Sequence, residues 1–242
     1  MEIHILPDLE ALSHEAAEMF LSLSKRYIEG KGSFLVAVSG GSTPIRLFAL
    51  LGSDDYKDII NWKGVHFFWA DERFVPRDHR ENNYRILREN LLSRISIPPE
   101  NVHPARTDVS SVMISARTYE KEIREFFRSY RNGLPEFDLI LLGLGEDGHT
   151  ASLFPGSDIL SEKNRLVASV DDHKHKYPRV TLTLTVINKA KNIVFLISGR
   201  QKAAIAKKVI KDKDGSLPAS HIEQEKGNLF FLLDEDAGLL LK

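Results

Sequence analysis

Short apolar blocks punctuate the chain at Phe34 to Val38, Val65 to Trp69, Phe137 to Leu142, Leu166 to Val170, Ile193 to Ile197 and Leu229 to Leu233. They are rich in β-branched and aromatic residues and lack the alternation of a strand with one wet face, so they predict strands covered on both sides. Between the blocks, apolar residues recur at helical spacing with charges opposite. The predicted helices are Leu9 to Tyr27, Pro44 to Leu51, Asn83 to Ile95, Val112 to Tyr130 and Gln201 to Ile210, with Tyr119, Ile123, Phe126 and Phe127 marking one apolar stripe. Strands alternating with helices predict an α/β fold, a mainly parallel sheet sandwiched by helices. One segment has a different period: Val180, Leu182, Leu184 and Val186 alternate with Thr181, Thr183 and Thr185. A period of two predicts a half-exposed or edge strand and one antiparallel pairing.

Composition narrows the class. The 242 residues are 42% hydrophobic and 28% charged, as in a soluble globular protein, and no repeat or Ser/Gly linker divides them, so one domain over 1–242 is expected. Lys plus Arg number 33 against 34 Asp plus Glu, a net charge of -1. No summed field draws such a chain to nucleic acid or to a membrane surface, so any anion site must be local. The absence of cysteine excludes disulfides, thiolate metal sites and a cysteine nucleophile, and suits a reducing compartment. The first residues lack a basic region followed by a long apolar core, and runs such as Leu139 to Leu142 are too short to cross a bilayer. The expected location is cytoplasmic. Nothing in the pattern speaks to oligomeric state.

In open α/β sheets, ligands sit outside the carboxyl ends of the strands. The first such junction is Ser39-Gly40-Gly41-Ser42-Thr43-Pro44. Its glycines allow a tight turn and close approach of a ligand, and Pro44 suits a first helical turn whose free N–H groups can cradle a phosphate. An ordinary strand-to-helix turn would look similar; a nucleotide P-loop would need a Gly-Lys-Ser/Thr ending that is missing here. The second junction, Asp71-Glu72-Arg73, offers two acids and a guanidinium to a polar substrate, or forms a surface ion pair. The third, Gly143 to Thr150, has two readings. Gly143, Gly145 and Gly148 fit a dinucleotide fingerprint with Asp171 beyond, but Phe154-Pro155-Gly156 cuts the following helix short and Asp147 would oppose a pyrophosphate. Alternatively His149 sits at a helix N-terminus, where the dipole disfavours its protonated form and suits it to general-base chemistry. The fourth junction, Ser198-Gly199-Arg200-Gln201-Lys202, puts two cations in a first helical turn, a mismatch that a bound anion relieves, and Arg179 can join them. The H-x-H spacing of His173 and His175 among lysines makes a poor metal site, and the Asp234-Glu235-Asp236 run reads as a solvated turn.

Taken in order, these motifs resemble the 6-phosphogluconolactonase family. The resemblance rests on the glycine loop 39–44, Trp69-Ala70-Asp71-Glu72-Arg73, Asn82-Asn83-Tyr84, the block Gly143 to Gly156, Pro178-Arg179-Val180-Thr181, Ser198 to Ala203 and Leu217-Pro218-Ala219-Ser220. It spans nearly the whole chain. It implies a Rossmann-like sheet in a three-layer α/β/α sandwich without a bound nucleotide, and hydrolysis of 6-phospho-D-glucono-1,5-lactone to 6-phosphogluconate in the oxidative pentose phosphate pathway. Neither metal nor cofactor is implied. On this reading His149 is the general base on water, Arg73 stabilises the oxyanion, and Asp71 and Asp147 orient these groups or the sugar. Gly40, Gly41, Ser42, Asn83, Arg179, Arg200 and Lys202 hold the phosphate and substrate. The related glucosamine-6-phosphate deaminases share the glycine loop, the Asp at the second strand end and the Asp-Gly-His, but carry a glutamate where this chain has Phe154, which cannot move a proton. Sugar-phosphate sensing domains of transcription regulators share the fold as well. They are joined to a DNA-binding helix-turn-helix, whereas this chain is not basic and opens directly on the domain.

Overall fold

A computed structural model describes residues 1–131, 135–172, 175–223 and 227–242. Strands β1 (Glu2–Leu6), β2 (Phe34–Val38), β3 (Val65–Trp69), β5 (Val102–His103), β6 (Leu139–Gly143), β9 (Asn192–Ile197) and β10 (Asn228–Asp234) form a parallel sheet in the order β1-β10-β9-β6-β2-β3-β5. The order reverses between β2 and β6: the chain leaves β2 toward β5 and returns on the other side. A crevice at the carboxyl ends of β2 and β6 is therefore built into the topology.

Alternate residues of each strand feed opposite cores. Leu35, Ala37, Phe68, Ile140 and Leu142 pack against Tyr119, Ile123 and Phe127 of α4 (Val112–Arg131) and against Ile205 and Ala206 of α6 (Ala203–Ile210). Phe34, Val36, Val38, Leu139 and Leu141 pack on the other face against Leu12, Ala16 and Phe20 of α1 (Leu9–Lys31) and Leu47 and Phe48 of α2 (Thr43–Leu51). The result is the expected three-layer α/β/α sandwich. Helix α1 starts where Asp8 accepts the Ala11 N–H and stops at Gly32, whose φ of 80° lies in the left-handed region.

The Thr-alternating segment departs from expectation. Strand β8 (Arg179–Leu182) runs antiparallel between β4 (Asp71–Arg73) and β7 (Val167–Val170), so it is the centre of a small second sheet rather than an edge. It is also buried. Thr181 accepts the Ser152 N–H at 3.2 Å, and the Thr183 hydroxyl donates to Arg165 O at 2.8 Å, so threonines on the supposed wet face find partners inside. Beyond Thr183 the chain makes one turn of helix, α5 (Leu184–Ile187), instead of continuing the strand. Block 166–170 joins this small sheet and not the parallel one. Helix α3 (Asn83–Asn90) ends five residues before the predicted Ile95.

Candidate active site

The carboxyl ends of β2, β3, β6 and β9 surround an open cleft. Gly40, Gly41, Ser42, Asp71, Arg73, His149, Arg179 and Lys202, drawn from every one of the four junctions, line it. Gly41 has a φ of 108°, which only glycine adopts without strain, and it hands the chain to α2 with Pro44 in the first turn. Asn83 lies behind this loop rather than in the cleft. It is 2% exposed, its side chain occupies the space that a Cβ at Gly40 would need, and its Nδ2 donates to Asp71 O at 2.9 Å.

Strand pairing builds the cationic wall. In the β4–β8 register Arg73 stands directly opposite Arg179 and Asp71 opposite Thr181. Two like charges in a cross-strand pair repel, and a bound anion relieves them. Arg73 Nη1 donates to Glu81 O at 2.9 Å, while Arg73 Nε and Arg179 Nε are buried without a partner among the described residues. Burial draws the Arg179 guanidinium below its ordinary pKa, and neighbouring Arg73 adds to this against the opposing pull of Asp71. Asp71 is 5% exposed; it takes the Ser152 hydroxyl at 2.7 Å and lies 3.9 Å from Arg179.

No helix follows β6. Residues 144–153 form successive turns with positive φ at Gly148 (84°) and Ala151 (48°), so the dipole reason for a neutral His149 does not apply. The same geometry removes the dinucleotide reading, because there is no helix N-terminus for a pyrophosphate and the His149 ring lies where a Cβ at Gly145 would be. A carboxylate takes the place of the dipole. Asp147 Oδ1 sits 2.5 Å from His149 Nδ1 and also accepts the His149 backbone N–H at 3.1 Å. This contact puts the ring proton on Nδ1 and leaves Nε2 as the acceptor. Partial burial raises the Asp147 carboxyl, but the His149 N–H, the imidazole charge and the ring hydrogen bond outweigh it and hold the group below the usual carboxylate range. Asp147 itself stands outside the cleft lining, half-exposed. Phe154, 4% exposed, packs 4.7 Å from the His149 ring, 3.6 Å from His175 and 5.5 Å from the Arg179 guanidinium.

The fourth junction is a 3-10 turn, Arg200–Lys202, ahead of α6. Lys202 turns inward and lines the cleft; Arg200 is exposed and does not. Residues two apart in a three-residue turn point in different directions, so the two cations cannot share one wall. His173 and Lys174 lie outside the described residues. Among the described residues, no group of three or more His, Cys, Asp and Glu is arranged to hold a metal ion.

Sequence reasoning passed over several contributors. Asp234 is 6% exposed, not a solvated turn: it ends β10 and accepts the Ser198 hydroxyl and the Gly199 N–H at 2.9 Å, holding the junction that presents Lys202. Its position at a strand's carboxyl end was the available signal. Ser39 lines the cleft with its hydroxyl buried and unpartnered among the described residues. Ser152 reaches Asp71 only because β4 and β8 pair, which no local pattern announces. Glu72 is fully buried behind the wall; burial pushes its carboxyl up to about 8, against three backbone N–H donors that pull it down, with Asp71 adding a further upward push.

A family model described as glucosamine-6-phosphate isomerases/6-phosphogluconolactonase matches residues 7–231. The 6-phosphogluconolactonase of Nostoc sp. is 35% identical over 237 residues, covering 98% of this chain and 96% of the relative. The crystal structure of the devB protein superposes with a TM-score of 0.91 at 33% identity, covering 100% of this chain and 99% of that one. The 6-phosphogluconolactonase from Trypanosoma brucei superposes with a TM-score of 0.87 at 29% identity, covering 100% and 98%.

Proposed function

The chain belongs to the glucosamine-6-phosphate isomerase/6-phosphogluconolactonase family, and from that premise we propose that its cleft hydrolyses 6-phospho-D-glucono-1,5-lactone to 6-phosphogluconate, the lactonase step of the pentose phosphate pathway. The observation that carries the choice of reaction is the apolar Phe154 ring packed 4.7 Å from His149, in a cleft where the Asp147–His149 pair faces a wall of Arg73, Arg179 and Lys202. A lactone carbonyl is already electrophilic, so a positioned base and an oxyanion donor suffice. His149 Nε2 takes a proton from water as the water oxygen adds to the lactone carbonyl carbon. Asp147 stabilises the imidazolium. Arg73 donates to the developing oxyanion. Collapse breaks the bond to the ring oxygen, which leaves with the proton from His149. The Gly40–Gly41–Ser42 loop, Arg179 and Lys202 bind the phosphate, and Asp71 orients the sugar hydroxyls. An apolar ring at this position offers no second proton carrier for ring opening and deamination, which favours hydrolysis. The whole chain acts as one domain.

The test is acid release from the lactone by purified protein, corrected for spontaneous opening. His149→Asn should lower kcat by roughly a hundred- to ten-thousand-fold, the range for losing acid–base assistance, with the fold intact. Near-normal kcat in a folded His149→Asn would remove the base from this reading.

A further inference from the structure

Glu72 lies behind the cleft, and nothing in the reaction uses it. Side chains alternate along a strand, so Asp71 and Arg73 face the cleft while Glu72 faces the interior. There its Oε1 accepts the backbone N–H groups of Arg73 and Asn83, each at 2.7 Å, and its Oε2 accepts that of Tyr84 at 2.9 Å. Asn83 and Tyr84 open α3, where amides have no partner inside the helix. The helix does not depend on Glu72 for an ordinary cap, because the Asn82 side chain accepts the Arg85 N–H at 2.9 Å. Burying a carboxyl costs free energy that a helix cap alone does not require. What the carboxyl adds is a clamp between β4 and α3.

The cleft groups depend on that clamp from both sides. The Arg73 guanidinium is carried by β4 and donates to Glu81 O, two residues before α3. Asn83, the first residue of α3, reaches back to Asp71 O and fills the space beneath Gly40. If strand and helix part, the guanidinium loses the fixed relation between its own Cα and the carbonyl that aims it. We propose that Glu72 is a positioning residue for the hydrolysis, holding Arg73 at the lactone carbonyl by clamping β4 to the first turn of α3. The inference rests on Arg73 as the oxyanion donor proposed above.

The experiment is a double-mutant cycle on the purified enzyme with Glu72→Ala, Glu72→Gln and Arg73→Gln, reading kcat and KM separately alongside thermal unfolding. Arg73→Gln should lower kcat by about a hundredfold, as for loss of an oxyanion donor. Glu72→Ala should lower kcat by about thirtyfold with KM changed less than about threefold, the signature of misplaced chemistry rather than lost binding. Glu72→Gln keeps Oε1 and its two N–H groups, and should recover most of that loss, to within about fivefold of the unaltered enzyme. In the Arg73→Gln background Glu72→Ala should have almost no further effect on kcat, because both act through one guanidinium. A folded Glu72→Ala with normal kcat, or an equal loss in both backgrounds, overturns the inference while leaving the lactonase reading intact. Near-normal kcat in Arg73→Gln overturns the oxyanion assignment and the inference with it. Should Glu72→Ala not fold, Glu72→Gln is put through the same cycle, and the absence of a loss of at least about twofold that disappears without Arg73 overturns the proposal.

Discussion

The two ends of the parallel sheet treat buried polar groups in opposite ways. At the amino end, Asp138 is fully buried just before β6, and its carboxylate takes the Lys31 ammonium and the Leu35 N–H at 2.8 Å. Its backbone oxygen accepts Asn192 Nδ2 at 2.8 Å, and Asn192 Oδ1 in turn accepts Asn228 Nδ2 at 3.0 Å, tying together the starts of β6, β9 and β10. At the carboxyl end, the Ser39 hydroxyl, Arg73 Nε and Arg179 Nε, on three residues that line the cleft, are buried without partners among the described residues. A polar group left unpartnered in the interior costs free energy, so the carboxyl end is held together at the expense of stability by the clamps of Glu72, Asp234 and Ser152. The same sheet is a closed hydrogen-bond network at its amino end, and an open one around the cleft.

This contrast can be broken from either end. The largest expected stability effect is at the amino end. Asp138→Ala leaves the Leu35 N–H and Lys31 without their carboxylate and should lower the unfolding free energy by about 3 kcal/mol, the low end for breaking a buried pair because Lys31 remains a quarter exposed. Urea denaturation reads this, and kinetics measured below the transition should not change. An altered kcat would mean that the two ends are coupled. At the carboxyl end, Lys202→Ala should raise KM by the equivalent of about 1.5 to 3 kcal/mol, the scale of a charge-assisted hydrogen bond, with little loss of stability. A fall in kcat with constant KM would instead put Lys202 in the chemistry.

The subtlest effect is a slope. The Glu72 carboxyl is lifted by burial from an ordinary value near 4.5 to about 8, so between these pH values the unfolded chain has released a proton that the folded protein keeps. Stability contributed by this group is therefore present at low pH and lost as pH rises through that window. Melting temperatures of the unaltered protein should decline relative to Glu72→Gln from about pH 4.5 to about pH 8. Parallel curves would show that the N–H donors, and not burial, govern the group.

Much of this division is visible in the sequence, and what is missing has physical causes. Strands Phe34–Val38 and Val65–Trp69 match their apolar blocks residue for residue, because a strand buried on both faces shows a near-continuous apolar run with sharp ends, His66 being the one polar residue in the two. Strand β4 is wholly charged, and β5 is two residues long, so neither has a hydrophobic period to detect. The glycine loop, Asp71, Arg73 and His149 stand out because each lies just past the carboxyl end of an apolar block. Such placement fixes positions but not directions: it cannot separate Lys202 from Arg200, nor put Asn83 behind Gly40. It also lends His149 the wrong support, since a strand ending in Gly143 suggests a helix after it, whereas the turns up to Phe154-Pro155-Gly156 bring Asp147 to the ring instead. Asp234 is hidden because three acids in a row look solvated until the Ser198 and Gly199 donors are seen beside the first of them.

The most direct measurement compares hydrolysis of the six-membered lactone with and without its 6-phosphate by the unaltered protein, each corrected for spontaneous opening. If the open end of the sheet is completed by the substrate's phosphate, removing it withdraws the contacts of the glycine loop, Arg179 and Lys202 together, and kcat/KM should fall by more than about a hundredfold. Equal kcat/KM for the two lactones would contradict the assignment of the cleft as a sugar-phosphate site.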